Sequence, residues 1–281
     1  MTDNKMGWLT LVGTPIGNLN DISPRVIEAL SACDFIAAED TRVTLKLLNH
    51  LGIKKPLISY HEHNREKSGD VICARLQNGE NAVLTTDAGL PAISDPGEDL
   101  VRLCHERQIP VGIVPGPCAL VTALALSGMP AGRFTFEGFL STTKRVRQEH
   151  LLSLCEETRT MIFYEAPHKL PATLKDMLAA WGDRPVALVR ELTKIHEEVI
   201  RTTLSAAAAR FAEESPRGEF VVIVGGAEKK ESPAWTLEQA SALAAEYLKD
   251  GLSPTAAAKQ AANDTGLRKG DIYRTLINGE E

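Results

Sequence analysis

Short β-branched apolar runs alternate with helix-period stripes along the first half of the chain. Strand-like runs fall at Leu9–Val12, Phe35–Ala38, Leu57–Tyr60, Ala82–Thr86 and Val111–Val114, each bounded by polar or turn-forming residues. Between the first two, Ser23 is placed to cap a helix opening at Pro24, where the missing proline N–H has no partner to lose. Val26, Ile27 and Leu30 give that helix an apolar stripe at spacings of three and four. Thr41–Leu51 and Asp99–Arg107 show the same period. Strand–helix alternation predicts a parallel sheet covered on both faces, and right-handed crossovers then gather functional loops at the carboxyl ends of the strands.

The segment Val114-Pro-Gly-Pro-Cys-Ala-Leu120 marks a boundary near residues 115–120. A second α/β unit follows, with runs at Phe134–Glu137, Met161–Tyr164, Val186–Arg190, Glu198–Thr203 and Phe220–Val224. Glu198–Thr203 alternates in polarity and is joined to Val186–Arg190 by a short link, which predicts antiparallel pairing. Gly225–Pro233 reads as a polar linker. Residues 236–281 are Ala-rich and helical in pattern, and Pro254–Asn263, the turn Gly266–Gly270 and Asp271–Ile277 have the layout of a helix-turn-helix. The expected domains are therefore 7–116, 117–226 and 236–281.

With 43% apolar residues the chain is not a disordered one. No run approaches the roughly 18 apolar residues of a membrane helix, and Gly13 and Pro15 break the N-terminal run before it reads as a secretory signal. Five scattered cysteines without a C-x-x-C pair argue against a disulfide framework or a zinc finger. Both features point to the cytoplasm. Lys and Arg total 31 against 37 acidic residues, a net charge of −6, so nucleic-acid contact must come from local patches rather than bulk charge.

Several chemistries are absent by inspection. No two of the 21 glycines are separated by a single residue, which excludes a G-x-G-x-x-G fingerprint, and there is no G-K-[ST] or G-x-S-x-G motif. His61-Glu-His63 lacks further ligands at metal spacing, so no metal is expected. What remains is a set of Gly- and Pro-rich loops after strands: Gly13–Asn18, Thr86–Gly97 and Pro115–Ala119. Singly, each reads as a tight βα turn. Together, at one edge of one sheet, they build a stiff rim of amides and carbonyls around a ligand. No lysine sits in these loops, which suits a purine and a sulfonium cation better than a triphosphate.

The segments VGTPIGNLNDISPR, AEDTR, SYHEHN, TDAGLPAISDPG, VPGPCAL, FYEAPHK and RGEFVVIVGG follow one another in this order across residues 8–226. In this the chain resembles the ribosomal RNA small subunit methyltransferase I family, the ribose 2'-O-methyltransferase branch of the tetrapyrrole-methylase superfamily. The resemblance extends to the helical tail. It implies an α/β, two-domain tetrapyrrole-methylase-like fold: a parallel-sheet N-terminal domain, a mixed-sheet second domain and a small helical C-terminal domain. It also implies a homodimer, with S-adenosyl-L-methionine in the cleft between the two α/β domains. Carried over by position, the cofactor touches Pro15, Asp87, Gly89, Ile93, Ser94, Cys118 and Ala119, with Tyr164, Ala187 and Leu188 closing the pocket. A carboxylate at Asp87 suits a sulfonium or ammonium group, although Asp in such a loop is commonly a turn cap. Cys118 reads as a packing residue rather than a nucleophile.

The implied substrate is a decoding-centre cytidine of 16S rRNA (cytidine 1402), methylated on its ribose 2'-hydroxyl within the small ribosomal subunit. A hydroxyl is a weak nucleophile and benefits from a base. Candidates are Glu39, Asp40, His61, Glu165 and His168, each read equally well as a structural or RNA-positioning residue. RNA contacts are expected from Arg42, from Arg65 and Lys67, and from Lys144, Arg145 and Arg147 in a loop overhanging the cleft and leading into a helix. In the tail, Arg268, Lys269 and Arg274 are set against an acidic excess, so an RNA role there competes with dimerisation or packing. With 5% aromatic residues, reading of shape and phosphate is favoured over base stacking. No membrane or DNA partner is expected. Alternatives on the same fold are a small-molecule tetrapyrrole methylase, which would not need the tail or the basic run, or a protein methylase; one from another class is a DNA-binding regulator, which would need a more basic last helix than one carrying only Arg274.

Overall fold

The structure, a computed structural model, describes residues 6–228 and 235–278. Strands β1 (Leu9–Val12), β2 (Phe35–Ala38), β3 (Leu57–Ser59), β4 (Ala82–Thr85) and β5 (Val111–Val114) pair throughout in parallel, in the order β3-β2-β4-β1-β5. β2 and β4 are buried at every position, as inner strands of a sheet covered on both faces are. Tyr60 and Thr86 fall just beyond β3 and β4, so each opens a loop rather than closing a strand.

The crossovers are α1 (Pro24–Ala32), α2 (Thr41–Leu51), α3 (Arg65–Gln77) and α4 (Glu98–Glu106). Ser23 caps α1 by accepting from the Val26 amide at 3.3 Å, and Asp40 caps α2 by accepting from the Arg42 amide at 2.8 Å. Strand alternation divides the core: Leu9, Phe35, Ala37 and Leu84 meet α3 and α4, whereas Val12, Ile36 and Val83 meet α1 and α2. α3 stands out least in the sequence. Its inner face is Gly69, Ile72, Cys73 and Leu76, a stripe thinned by the glycine and flanked by charge.

A second sheet holds β6 (Phe134–Phe139), β7 (Thr160–Glu165), β8 (Pro185–Arg190), β9 (Glu198–Thr203) and β10 (Phe220–Val224), in the order β6-β7-β10-β8-β9. β6 and β7 are parallel and the remaining pairs antiparallel, including β8 with β9 as expected. A bulge between Phe136 and Gly138, the latter at φ 62°, carries β6 past its expected end at Glu137. Helix α5 (Ala119–Ser127) covers one face of this sheet through Leu120, Ala123 and Leu124. The other face is covered by α6 (Lys144–Ser153), α7 (Leu170–Trp181) and α8 (Leu204–Glu213). Lys144, Arg145 and Arg147 thus lie within the first turn and a half of α6, not in a preceding loop. The favourable φ of a run without glycine or proline lets the helix begin at once after Thr143.

The chain divides into two compact units at Ala227 and Glu228. The second contains α9 (Leu237–Lys249), α10 (Pro254–Thr265) and α11 (Lys269–Asn278), with a core of its own from Ala240, Ala244, Ala258, Ala261, Ile272 and Leu276. Small side chains let these helices approach closely. Gly266, at φ 73°, ends α10 and gives the expected helix, turn, helix layout. Most of the expected linker at 225–233 falls on residues 229–234, outside the described residues. Among the described residues no helix is long and apolar enough to cross a membrane.

Candidate active site

The loops that follow β1 and β5 touch at two glycines. A Cβ on Gly13 would stand 2.7 Å from the Gly116 Cα, and one on Gly116 would stand 2.8 Å from the Gly13 Cα. The loop after β4 is stitched to the first: Thr14 and Gly89 exchange main-chain hydrogen bonds at 2.8 and 3.1 Å, and the Thr14 hydroxyl donates to the Thr86 carbonyl at 3.2 Å. Within that loop Ala92 and Ser94 hold φ of 70° and 63°, a left-handed conformation that non-glycine residues rarely adopt. Such strain concentrates where a loop must present groups to a ligand.

These loops and the facing edge of the second sheet enclose a cavity of about 490 Å³, within the size range of small-ligand sites. Ile16, Ile93, Cys118, Ala119, Phe139, Tyr164, Val189, Leu192 and Val221 supply mostly apolar walls. The Tyr164 hydroxyl accepts from the Leu120 amide at 3.0 Å, which fixes its ring against the first turn of α5, and Phe136 and Phe139 pack edge-on to it.

Five carboxylates line the same cavity; Glu219 is paired with Lys194 at 3.1 Å and both Glu165 oxygens are hydrogen-bonded, which leaves Glu39, Asp87 and Asp95. Among the described residues none of these three has an ion-pair partner. The Asp87 amide donates to Glu39 Oε2 at 3.2 Å, and Asp87 Oδ1 accepts from the Asp40 amide at 3.1 Å. Burial raises the pKa of Glu39 and of Asp87. Asp95 is moved furthest: burial, reinforced by the charges of Glu39 and Asp87, lifts it to about 7. The sequence reading missed Asp95. It precedes Pro96-Gly97 and looks like a turn former there, and its one sequence signal was membership of the same loop as Asp87.

Of the expected cofactor residues, Asp87, Gly89, Ile93, Ser94, Cys118, Ala119 and Tyr164 come together around the cavity. Pro15, Ala187 and Leu188 do not line it. Pro15 opens instead on a neighbouring slot against α2. Ala187 and Leu188 are fully buried, and strand alternation turns Leu188 into the opposite core; from β8 it is Val189 that reaches the cavity.

The expected bases separate in the same way. Glu39 lines the cavity. Glu165 lines it too, but it is 2% exposed and both carboxylate oxygens are taken, by the Ala166 amide at 2.9 Å and the Thr173 hydroxyl at 2.6 Å. It anchors α7 and is not placed as a free base. Asp40 lies outside the cavity and is ion-paired with Arg42 at 2.6 Å, which holds its carboxyl down to about 2. His61 and His168 are also outside the lining; His168 is exposed, while His61 Nδ1 is buried without a hydrogen-bond partner among the described residues.

The basic residues divide by partner. Arg147 is ion-paired with Asp176 at 2.7 Å, both side chains 12% exposed, and donates to the Ser141 carbonyl, so it joins α6 to α7 rather than facing outward. Arg65 pairs with Asp99 at 2.7 Å and Arg145 with Glu149 at 2.8 Å. Arg42, Lys67, Lys144 and Arg145 are exposed on the first unit, and Arg268, Lys269 and Arg274 on the helical unit.

Residues 8–208 match the family model described as Tetrapyrrole (Corrin/Porphyrin) Methylases. The fold is shared with the crystal structure of uroporphyrin-III C-methyl transferase from Thermus thermophilus complexed with S-adenyl homocysteine, at a TM-score of 0.54 and 17% identity, covering 78% of this chain and 97% of that one. The first unit is therefore a tetrapyrrole-methylase fold. The ribosomal RNA small subunit methyltransferase I of Synechocystis sp. is 47% identical over 276 residues, 98% of this chain and 99% of its own. The enzyme of that name from Thermotoga maritima is 47% identical over 223 residues, 79% of this chain and all of its own. The chain belongs to the ribosomal RNA small subunit methyltransferase I family, and it is a methyltransferase.

Proposed function

We propose that the protein transfers the methyl group of S-adenosyl-L-methionine to the ribose 2'-hydroxyl of a decoding-centre cytidine in 16S rRNA. We further propose that it acts on the small ribosomal subunit, as a cytoplasmic homodimer whose domains span 7–116, 117–226 and 236–281. One observation carries the donor assignment: an apolar-walled cavity faced by three carboxylates without ion-pair partners among the described residues. That combination suits a ligand with an aromatic base and positive charge, and disfavours a polyphosphate.

The residues present fit S-adenosylmethionine. Ile93, Cys118, Tyr164 and Val189 give an adenosine an apolar seat, and Asp87 with Glu39 gives its cationic portion a counter-charge. When bound, S-adenosylmethionine supplies a methyl group already activated on a sulfonium centre. The protein is left to place the acceptor oxygen, exclude water and take up one proton. Asp95 takes that proton: its pKa of about 7 is matched to a base working near neutral pH. Glu39 and Asp87 keep Asp95 basic through their charge. On the RNA side, exposed Arg42, Lys144, Arg145, Arg268 and Lys269 offer phosphate contacts.

The rRNA substrate is supported by relatives that carry that name over nearly the whole chain, against the tetrapyrrole alternative. The 2'-oxygen and the cytidine rest on the sequence resemblance. The test is incubation of small subunits from cells lacking the protein with the purified enzyme and labelled donor, followed by mass mapping of the 16S rRNA. One new ribose methyl on a decoding-centre cytidine is expected; a base methyl, or no transfer, would overturn the reading.

A further inference from the structure

Asp87 belongs to two cavities. Besides the donor cavity it lines a smaller slot of about 250 Å³ between the loop after β1 and helix α2. Pro15 and Leu19 form one wall, Val43 and Leu47 the other, and Asp87 is the one acidic residue in the lining. Thr86 also lines the slot; it is 2% exposed, and its hydroxyl has no hydrogen-bond partner among the described residues. A buried hydroxyl left unpaired is a cost that a polar ligand group would relieve.

Helix α2 is built with two stripes. Val43 and Leu47, four apart, face the slot, while Arg42, Lys46 and His50 repeat at the same spacing beside them. All three side chains are exposed and α2 contains no acidic residue; Arg42 is paired with the capping Asp40, whereas Lys46 and His50 have no ion-pair partner among the described residues. The far flank of the donor cavity is different. The opening that shares Ser94 and Asp95 with it is lined by Glu62, Glu98 and Asp99 against Arg65 alone, and Arg65 is already paired with Asp99. A polyanion approaching there meets an acidic rim; approaching over α2, it meets a basic one.

We propose that the slot between the Pro15–Leu19 loop and α2 receives a nucleotide of the acceptor RNA strand. The base lies against Val43 and Leu47, a polar edge reaches the Thr86 hydroxyl, and the phosphate is held by Lys46 with His50 beside it. Single-stranded, splayed nucleotides are the form of RNA that such slots read. Asp87 lines both the slot and the donor cavity, so a nucleotide seated there borders the donor site. The inference rests on the rRNA-methylation reading and adds the side from which the RNA enters.

The test uses full-length enzyme and unmethylated small subunits, with Lys46→Ala, Leu47→Trp and Arg102→Ala, the last an exposed arginine paired with Asp99 of the acidic flank. Lys46→Ala is expected to raise the KM for subunits about tenfold and to lower the salt slope of binding by about one. Leu47→Trp fills the slot and should lower kcat/KM for subunits by about the same factor or more, while Arg102→Ala stays within about twofold. All three should bind S-adenosylhomocysteine and melt as wild type does, which separates a blocked slot from a damaged fold. Active wild type with an unchanged KM and salt slope in Lys46→Ala and Leu47→Trp overturns the slot alone. Wild type that methylates no rRNA overturns the functional reading and the slot with it. A loss of activity that tracks a change in sedimentation assigns this face to a subunit interface and also overturns the inference.

Discussion

The main-chain amide of Asp87 donates to a carboxylate oxygen of Glu39 at 3.2 Å, and the Asp87 carboxylate accepts from the next amide along, that of Asp40, at 3.1 Å. This reciprocal pair locks the loop after β4 to the end of β2 and holds two like charges in one partly buried cavity. Such an arrangement is unfavourable in the empty protein and is relieved by a cation. Asp87→Ala should therefore weaken binding of S-adenosylmethionine about tenfold or more, and of the uncharged-sulfur product much less. Calorimetric affinities unchanged for both would remove Asp87 from the site.

Asp95 gives the reaction its expected pH dependence. A base works in its deprotonated form, so kcat/KM should rise with pH through about 7 and level off above it. Asp95→Asn should lose about 100-fold or more in kcat and lose that limb, with binding of the uncharged-sulfur product S-adenosylhomocysteine retained. The same shift sets a stability trend. The folded carboxyl keeps its proton to about 7, against 3.8 for the ordinary group, so stability falls as pH rises between those values. Asp95→Asn should melt above wild type in mildly alkaline buffer, by roughly 1–2 kcal/mol after screening, and match it in acid. Unaltered pH profiles in the variant would show that the limb belongs to another group.

Gly13 and Gly116 set how closely the loops after β1 and β5 can meet. A methyl on either would press on the other's main chain at 2.7–2.8 Å, where neither strand end has room to retreat. Gly13→Ala should cost about 2–4 kcal/mol in denaturant unfolding and weaken donor binding. Wild-type stability and affinity would mean that the loops shift freely.

Arg147 should behave as a structural residue. Arg147→Ala leaves Asp176 buried without its partner at the α6–α7 contact and should cost about 2–4 kcal/mol, whereas Lys144→Ala, exposed one turn earlier, should cost almost nothing. If Arg147→Ala unfolds like wild type but loses RNA methylation, the arginine faces RNA after all.

The strands were legible because each is written as a short apolar or alternating run, and β1, β2, β5, β9 and β10 fall where those runs do. The three Gly–Pro loops were legible because few other residues tolerate such paths. Side-chain direction was less so. Leu188 and Val189 are equally apolar, and only the register decides which faces the cavity. Asp95 and Arg147 depend on what lies across a gap in sequence: Glu39 and Asp87 for the one, Asp176 for the other. A run of basic residues looks the same whether solvated or clamped by a distant acid.

The account's central claim is that three carboxylates read the positive charge of the methyl donor. Calorimetric titration of wild type with S-adenosylmethionine and S-adenosylhomocysteine at about pH 6 and about pH 8 tests it most directly. As Asp95 ionises between those values, the preference for the sulfonium form should grow by about tenfold. Equal pH dependence for the two ligands, or no binding of either, would contradict it.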